Sequence, residues 1–100
     1  MEAKVIKISD MSKPVNSFPK ALGFARVDRK SRWGNPFSIG RDGSRKEVIE
    51  KYRQFLFENP LPQEEVQWLW GRHLACNCAP KPCHADVLLR YVNFHYKPEA

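Results

Sequence analysis

The densest chemistry in the sequence is a cluster of three cysteines and one histidine. Cys76, Cys78, Cys83 and His84 lie within nine residues, and Asp86 follows. These residue types serve three different purposes: a nucleophilic thiolate with a base, a set of soft metal ligands, or buried apolar packing. The sequence leaves the three interpretations open.

In the catalytic interpretation, Cys83 begins a helix. Exposed N–H groups and the helix dipole would then lower the pKa of its thiol. Cys83 would be the nucleophile and His84 the acid or base. Asp86 would either orient that base or stabilise the first turn of the helix, and the second role is the simpler one.

In the metal interpretation, Cys76, Cys78, Cys83 and His84 bind zinc or another soft metal. Cys76 and Cys78 share one face of a predicted strand, so both sulfurs point the same way. The spacing C-x-C-x4-C-H departs from a zinc knuckle, which has two residues between paired ligands. In the structural interpretation, Cys76 is a buried apolar residue of the hydrophobic core.

We expect no bound cofactor.

A basic segment provides the second candidate site. Residues 26–46 contain seven basic and two acidic residues, which gives +5 of the chain's net charge of +6. Such an excess attracts phosphate or nucleic acid, although a solvated loop is the alternative. Interleaved aromatic and glycine residues favour binding. The predicted ligand-binding residues are Arg26, Arg29, Arg32, Trp33, Asn35 and Arg45.

Capping signals and hydrophobic periodicity predict the elements that position these residues. The order is strand, loop, helix, helix, strand, helix, with a further short strand inside the loop region. A capping box starts at Ser44, and Asn59-Pro60 ends the helix that follows it. The predicted elements cover residues 4–9, 23–27, 44–59, 62–71, 73–78 and 83–94.

This order predicts a single α/β domain over residues 1–100, with a small, mostly parallel sheet and helices packed on it. Ligands of such sheets bind outside the carboxyl ends of the strands. The basic segment and the loop at residues 78–84 would both lie at that edge. We therefore expect the two candidate sites to converge.

Composition limits the class of protein. The chain has 100 residues, of which 42% are hydrophobic, and no apolar run approaches the ~20 residues that span a bilayer. The N-terminus lacks the layout of a signal peptide, and three clustered cysteines are poor material for a disulfide framework. We expect a cytoplasmic protein without a membrane partner.

Three segments resemble the domain of unknown function 4326 family, whose members are small proteins of bacteriophages and bacteria. They are R-W-G-N-P-F at residues 32–37, C-N-C-A-P at 76–80 and C-H-A-D at 83–86. The resemblance covers residues 23–95, after an N-terminal strand and loop (1–22) and before a tail (96–100). Asn77 and residues 24–29 depart from the family pattern. A looser likeness to a second family of unknown function, number 488, supports the α/β topology. Neither resemblance implies a substrate.

These observations lead to one main hypothesis and two alternatives. The main hypothesis is a small domain that binds a phosphorylated small molecule or nucleic-acid end through the basic segment, next to the Cys-His helix start. Such a domain would be a nucleotide-processing enzyme if Cys83 and His84 are catalytic. The alternatives are a non-catalytic protein that binds nucleic acid or a host factor, in the host cytoplasm if phage-encoded, and a metal-binding domain.

Overall fold

The computed structural model describes residues 5–7, 23–28, 31–76, 81 and 83–97. The elements in these ranges follow the predicted order. They are β1 (Val5–Lys7), β2 (Gly23–Arg26), α1 (Arg45–Glu58), α2 (Gln63–Leu69), β3 (Arg72–Cys76) and α3 (His84–His95).

The three strands form a parallel sheet in the order β1-β3-β2. Ile6 pairs with Ala75, and Ala25 pairs with Leu74. As the central strand, β3 is buried from His73 to Cys76, which explains why it reads as an apolar run. The predicted α/β fold with a small parallel sheet is confirmed. β3 ends at Cys76, and residues 77 and 78 of the predicted strand lie outside the described residues.

Local capping contacts start the two longer helices where the sequence predicted. At α1, the Ser44 hydroxyl accepts from the Glu47 N–H (3.2 Å), and the Glu47 carboxylate accepts from the Ser44 N–H (3.0 Å). At α3, the Asp86 carboxylate accepts from the Cys83 N–H (3.0 Å). Asp86 therefore stabilises the first turn, as its simpler interpretation predicted.

The core lies where α1, α2 and α3 pack together with the sheet. Its largest fully buried side chains include Tyr52 of α1, Leu69 of α2, Leu74 of β3 and Leu88 of α3. The packing of α1 against α3 fixes the start of α3 relative to the loop that precedes α1. No helix formed by the described residues is long and apolar enough to cross a bilayer.

Candidate functional site

The basic segment and the start of α3 meet at the carboxyl edge of the sheet. The backbone beyond β2 continues the sheet, since the Val27 N–H donates to the Ala75 carbonyl (2.9 Å). The carbonyl of Val27 in turn contacts Nε2 of the buried His84, the first residue of α3. The two candidate sites thus converge, as expected for loops that follow parallel strands.

Arg26 is fixed at this edge by a two-pronged ion pair. Its Nε and a terminal nitrogen donate to the two carboxylate oxygens of Asp28, at 3.0 and 2.9 Å. The Asp28 side chain is 5% exposed, whereas the Arg26 side chain is 47% exposed. The hydrogen bonds to Asp28, and then its charge, raise the pKa of Arg26. The guanidinium is therefore held in one orientation and keeps further N–H donors for a ligand.

Acidic partners neutralise part of the basic segment. The Nε of Arg32 lies 3.2 Å from a carboxylate oxygen of Glu65, which comes from α2. Arg41 pairs with Asp42 at 2.9 Å. Asp42 is already included in the excess of +5 along residues 26–46, whereas Glu65 lies outside the segment and offsets one further charge.

The other predicted arginines occupy different environments. Arg45 is the first residue of α1 and is half-buried. Arg29 lies outside the described residues. The structure thus brings the backbone of Val27, the neighbour of Arg26, to the start of α3, while Arg32 contacts α2.

Trp33 packs on another indole and makes a polar contact with α2. Its ring stacks on Trp68 with centroids 5.6 Å apart, and its Nε1 donates to Glu65 (3.0 Å). The guanidinium of Arg72 lies over the Trp68 ring, 4.3 Å from its centroid. The role of Trp33 as a stacking platform for a base stays a prediction, because Trp68 already covers part of its face.

Asn35 fastens the R-W-G-N-P-F loop to α1. Its buried amide Nδ2 donates to the Val48 carbonyl (3.1 Å), and its Oδ1 accepts from the Phe37 N–H (3.0 Å). These contacts give Asn35 a role in positioning the loop. Ligand binding by the same amide stays a prediction.

Tyr52, a buried residue of α1, joins the loop before α1 to the start of α3 and is not among the predicted site residues. Its hydroxyl donates to the Trp33 carbonyl (2.9 Å), and its ring packs edge-on against His84, with centroids 5.0 Å apart. Burial raises the pKa of Tyr52, so the hydroxyl stays protonated and donates. The sequence does carry a signal for this role, because Tyr52 lies on the apolar face of α1 and the hydroxyl of a buried tyrosine needs a hydrogen-bond partner.

The thiol of Cys83 lies against a second sulfur in the core. Its sulfur lies 3.0 Å from that of Cys76, and both cysteines are reduced and buried. The contact with Cys76, followed by burial, raises the pKa of Cys83. This direction is opposite to the lowering expected at a helix start, because the neighbouring sulfur and desolvation outweigh the dipole. The roles of Cys83 as nucleophile and of His84 as acid or base stay predictions.

The metal interpretation stays a prediction. Among the described residues there is no group of three or more histidine, cysteine, aspartate or glutamate side chains that could hold a metal ion. The predicted set includes Cys78, which lies outside those residues.

Comparison with known proteins establishes the family. The model of the domain of unknown function DUF4326 matches residues 15–94. The chain belongs to the DUF4326 family. It is similar to an uncharacterized 12.4 kDa protein from the nrdA-td intergenic region of Enterobacteria phage T4, with 32% identity over 78 residues that cover 73% of this chain and 70% of the relative. No solved structure matches the chain.

The predicted membership in a family that includes small phage proteins is confirmed. The part matched by the DUF4326 model contains the R-W-G-N-P-F loop, Tyr52 and the start of α3. In this DUF4326 chain these segments are joined through the contacts of Tyr52 with Trp33 and with His84.

Proposed function

We propose that this DUF4326 protein binds a phosphorylated ligand, a nucleotide or a nucleic-acid end, at the carboxyl edge of its sheet. The observation that carries the proposal is the contact between the His84 ring and the Val27 carbonyl. Because Val27 lies between Arg26 and Asp28, this contact joins the backbone next to an oriented guanidinium to the start of a helix. Both features attract phosphate.

The proposed activity is binding without covalent thiol chemistry. Cys83 is buried against Cys76 with a raised pKa, which disfavours a thiolate nucleophile. His84 contacts the Val27 carbonyl through its Nε2. Since the relative belongs to phage T4, we further propose that the protein acts in the cytoplasm of an infected host.

Calorimetric titration with adenosine 5′-monophosphate, inorganic phosphate and adenosine tests the proposal. Replacing Arg26 alone would remove the ion-pair partner of the buried Asp28 carboxylate, so the test variant is the double substitution Arg26→Gln/Asp28→Asn. The matched control is Arg41→Gln/Asp42→Asn, which removes an exposed ion pair of the same segment. Both double variants keep the net charge unchanged.

We expect the monophosphate to bind more tightly than adenosine. Arg26→Gln/Asp28→Asn should weaken monophosphate binding about tenfold or more, because a hydrogen bond to a charged group contributes about 1.5–3 kcal/mol. The control should stay within about twofold. Equal affinities for adenosine and the monophosphate, or equal effects of the two double variants, would refute the site.

A further inference from the structure

A groove runs between α1 and α3 and reaches Cys83, the residue before the first turn of α3. It consists of two adjoining cavities of about 510 and 260 Å³. Arg53, Val87 and Arg90 line both cavities, so the two form one continuous groove. Cys83, next to His84, lines the near cavity, and Phe94 lines the far one.

The middle of the groove carries two arginines. Arg53 is 54% exposed and lies 3.2 Å from Glu50, one turn earlier on α1. Arg90 is exposed and forms no ion pair within the part of the chain that the structure describes. The acidic residue in the lining is Asp86, whose carboxylate is engaged by the Cys83 N–H. The two guanidiniums therefore favour an anionic ligand.

Aromatic side chains lie at the far end. Phe94 is 83% exposed and lines the far cavity. Tyr91 and His95 pack together beside it, with ring centroids 4.3 Å apart. A path that leads from arginines to an exposed ring suits single-stranded nucleic acid, because phosphates pair with the cations and bases stack on the ring.

We infer that this α1–α3 groove binds a single strand of nucleic acid whose phosphorylated end occupies the site at the sheet edge. The inference rests on the proposed function and makes its ligand a strand end, not a free mononucleotide. The twelve residues of α3 extend about 18 Å, enough for several nucleotides. The exposed ring of Phe94 favours nucleic acid over an acidic peptide, which would use the arginines alone.

Binding of 5′-phosphorylated oligothymidylates of increasing length, compared with thymidine 5′-monophosphate, tests the inference. The groove variants are Arg90→Gln and Phe94→Ala, both at exposed positions that tolerate substitution. Their matched controls are Lys46→Gln and Phe57→Ala. Lys46 is exposed on α1, and Phe57 is 79% exposed, but neither lines the groove.

We expect affinity to rise with oligonucleotide length. Phe94→Ala should weaken the longer oligonucleotides at least about fivefold, since stacking on an aromatic ring contributes about 1–3 kcal/mol per base. Arg90→Gln should reduce the slope of log affinity against log salt by about 0.7. Neither groove variant should change binding of the monophosphate, and both controls should match the unaltered protein.

Each contrary outcome has a separate meaning. Monophosphate binding without any gain from length would overturn the groove and leave the phosphate site standing. A gain from length that the groove variants and their controls share would also overturn the groove. The groove would also be overturned if polyglutamate displaced the oligonucleotide and this displacement depended on Arg90 but not on Phe94. Failure of both mononucleotide and oligonucleotide to bind would overturn the proposed function itself.

Discussion

Replacing Asn35 with aspartate tests how the R-W-G-N-P-F loop is held on α1. The Asn35 amide donates to the Val48 carbonyl and accepts from the Phe37 N–H, and the residue is only 8% exposed. An aspartate keeps an oxygen for Phe37. Its second oxygen would face the Val48 carbonyl oxygen, so a donor–acceptor pair becomes two acceptors, one of them charged.

The cost follows from that geometry. Breaking the pairing of a buried charge destabilises a protein by about 3–5 kcal/mol. We expect about 3 kcal/mol for Asn35→Asp near neutral pH, because the new carboxylate keeps the Phe37 N–H as a donor. Asn35→Ala should cost about 1–2 kcal/mol, because Val48 keeps its helical hydrogen bond and mainly the Phe37 N–H loses its partner. In a domain of this size each kcal/mol lowers the melting temperature by about 4–8 °C.

The penalty at Asn35→Asp should depend on pH. Burial and the facing carbonyl raise the pKa of the introduced carboxyl above its unfolded value of about 3.9. The unfolded chain then releases the proton first, so the penalty appears as pH rises above about 3.9. It disappears at lower pH, where a protonated aspartate donates to Val48 as the amide did.

Urea unfolding followed by circular dichroism, at about pH 7 and about pH 4, measures these differences. We expect Asn35→Asp to be less stable than Asn35→Ala at the higher pH, with the gap between Asn35→Asp and the unaltered protein narrowing at the lower one. An Asn35→Asp protein as stable as Asn35→Ala near pH 7, or a gap that does not change with pH, would refute the contact with Val48.

Two further predictions follow from the pKa shifts. Iodoacetamide should modify Cys83 far more slowly in the folded protein than in urea, because burial and Cys76 raise the pKa of its thiol. Peptide mass mapping measures the two rates, and equal rates would contradict the buried sulfur pair. Hydrogen bonds from the Ser44 N–H and hydroxyl lower the pKa of Glu47 in the folded protein. The contribution of the Glu47 carboxylate to stability is therefore present above its unfolded pKa of about 4.3 and is lost as pH falls through the folded pKa. Lowering the pH from about 6 to about 3 should therefore reduce the free energy of unfolding of the unaltered protein more than that of Glu47→Gln. Parallel pH profiles of the two proteins would contradict the capping box.

The fold could be predicted because its signals are local. Ser44 and Glu47 form their capping box within one turn, and Asn59-Pro60 ends α1 without help from distant residues. The apolar run at β3 predicts a buried central strand of a parallel sheet. With these boundaries fixed, the parallel order of the strands brings residues 26–28 and 83–84 to the same edge.

The chemistry of the site could not be predicted in the same way, because it depends on partners distant in sequence. Arg32 finds Glu65 on α2, which a count of charges along the loop cannot foresee. The pKa of Cys83 is set by Cys76, on another element, against the effect of its own helix. The groove at Arg53 and Arg90 arises only when α1 and α3 pack, so neither arginine stands out in the sequence.

The measurement that tests the phosphate site most directly is a map of backbone amide chemical shifts during titration with adenosine 5′-monophosphate. We expect the largest changes at residues 26–28 and 83–86, with little change when adenosine alone is added. Changes of equal size with adenosine, or changes confined to residues away from this edge of the sheet, would contradict the account.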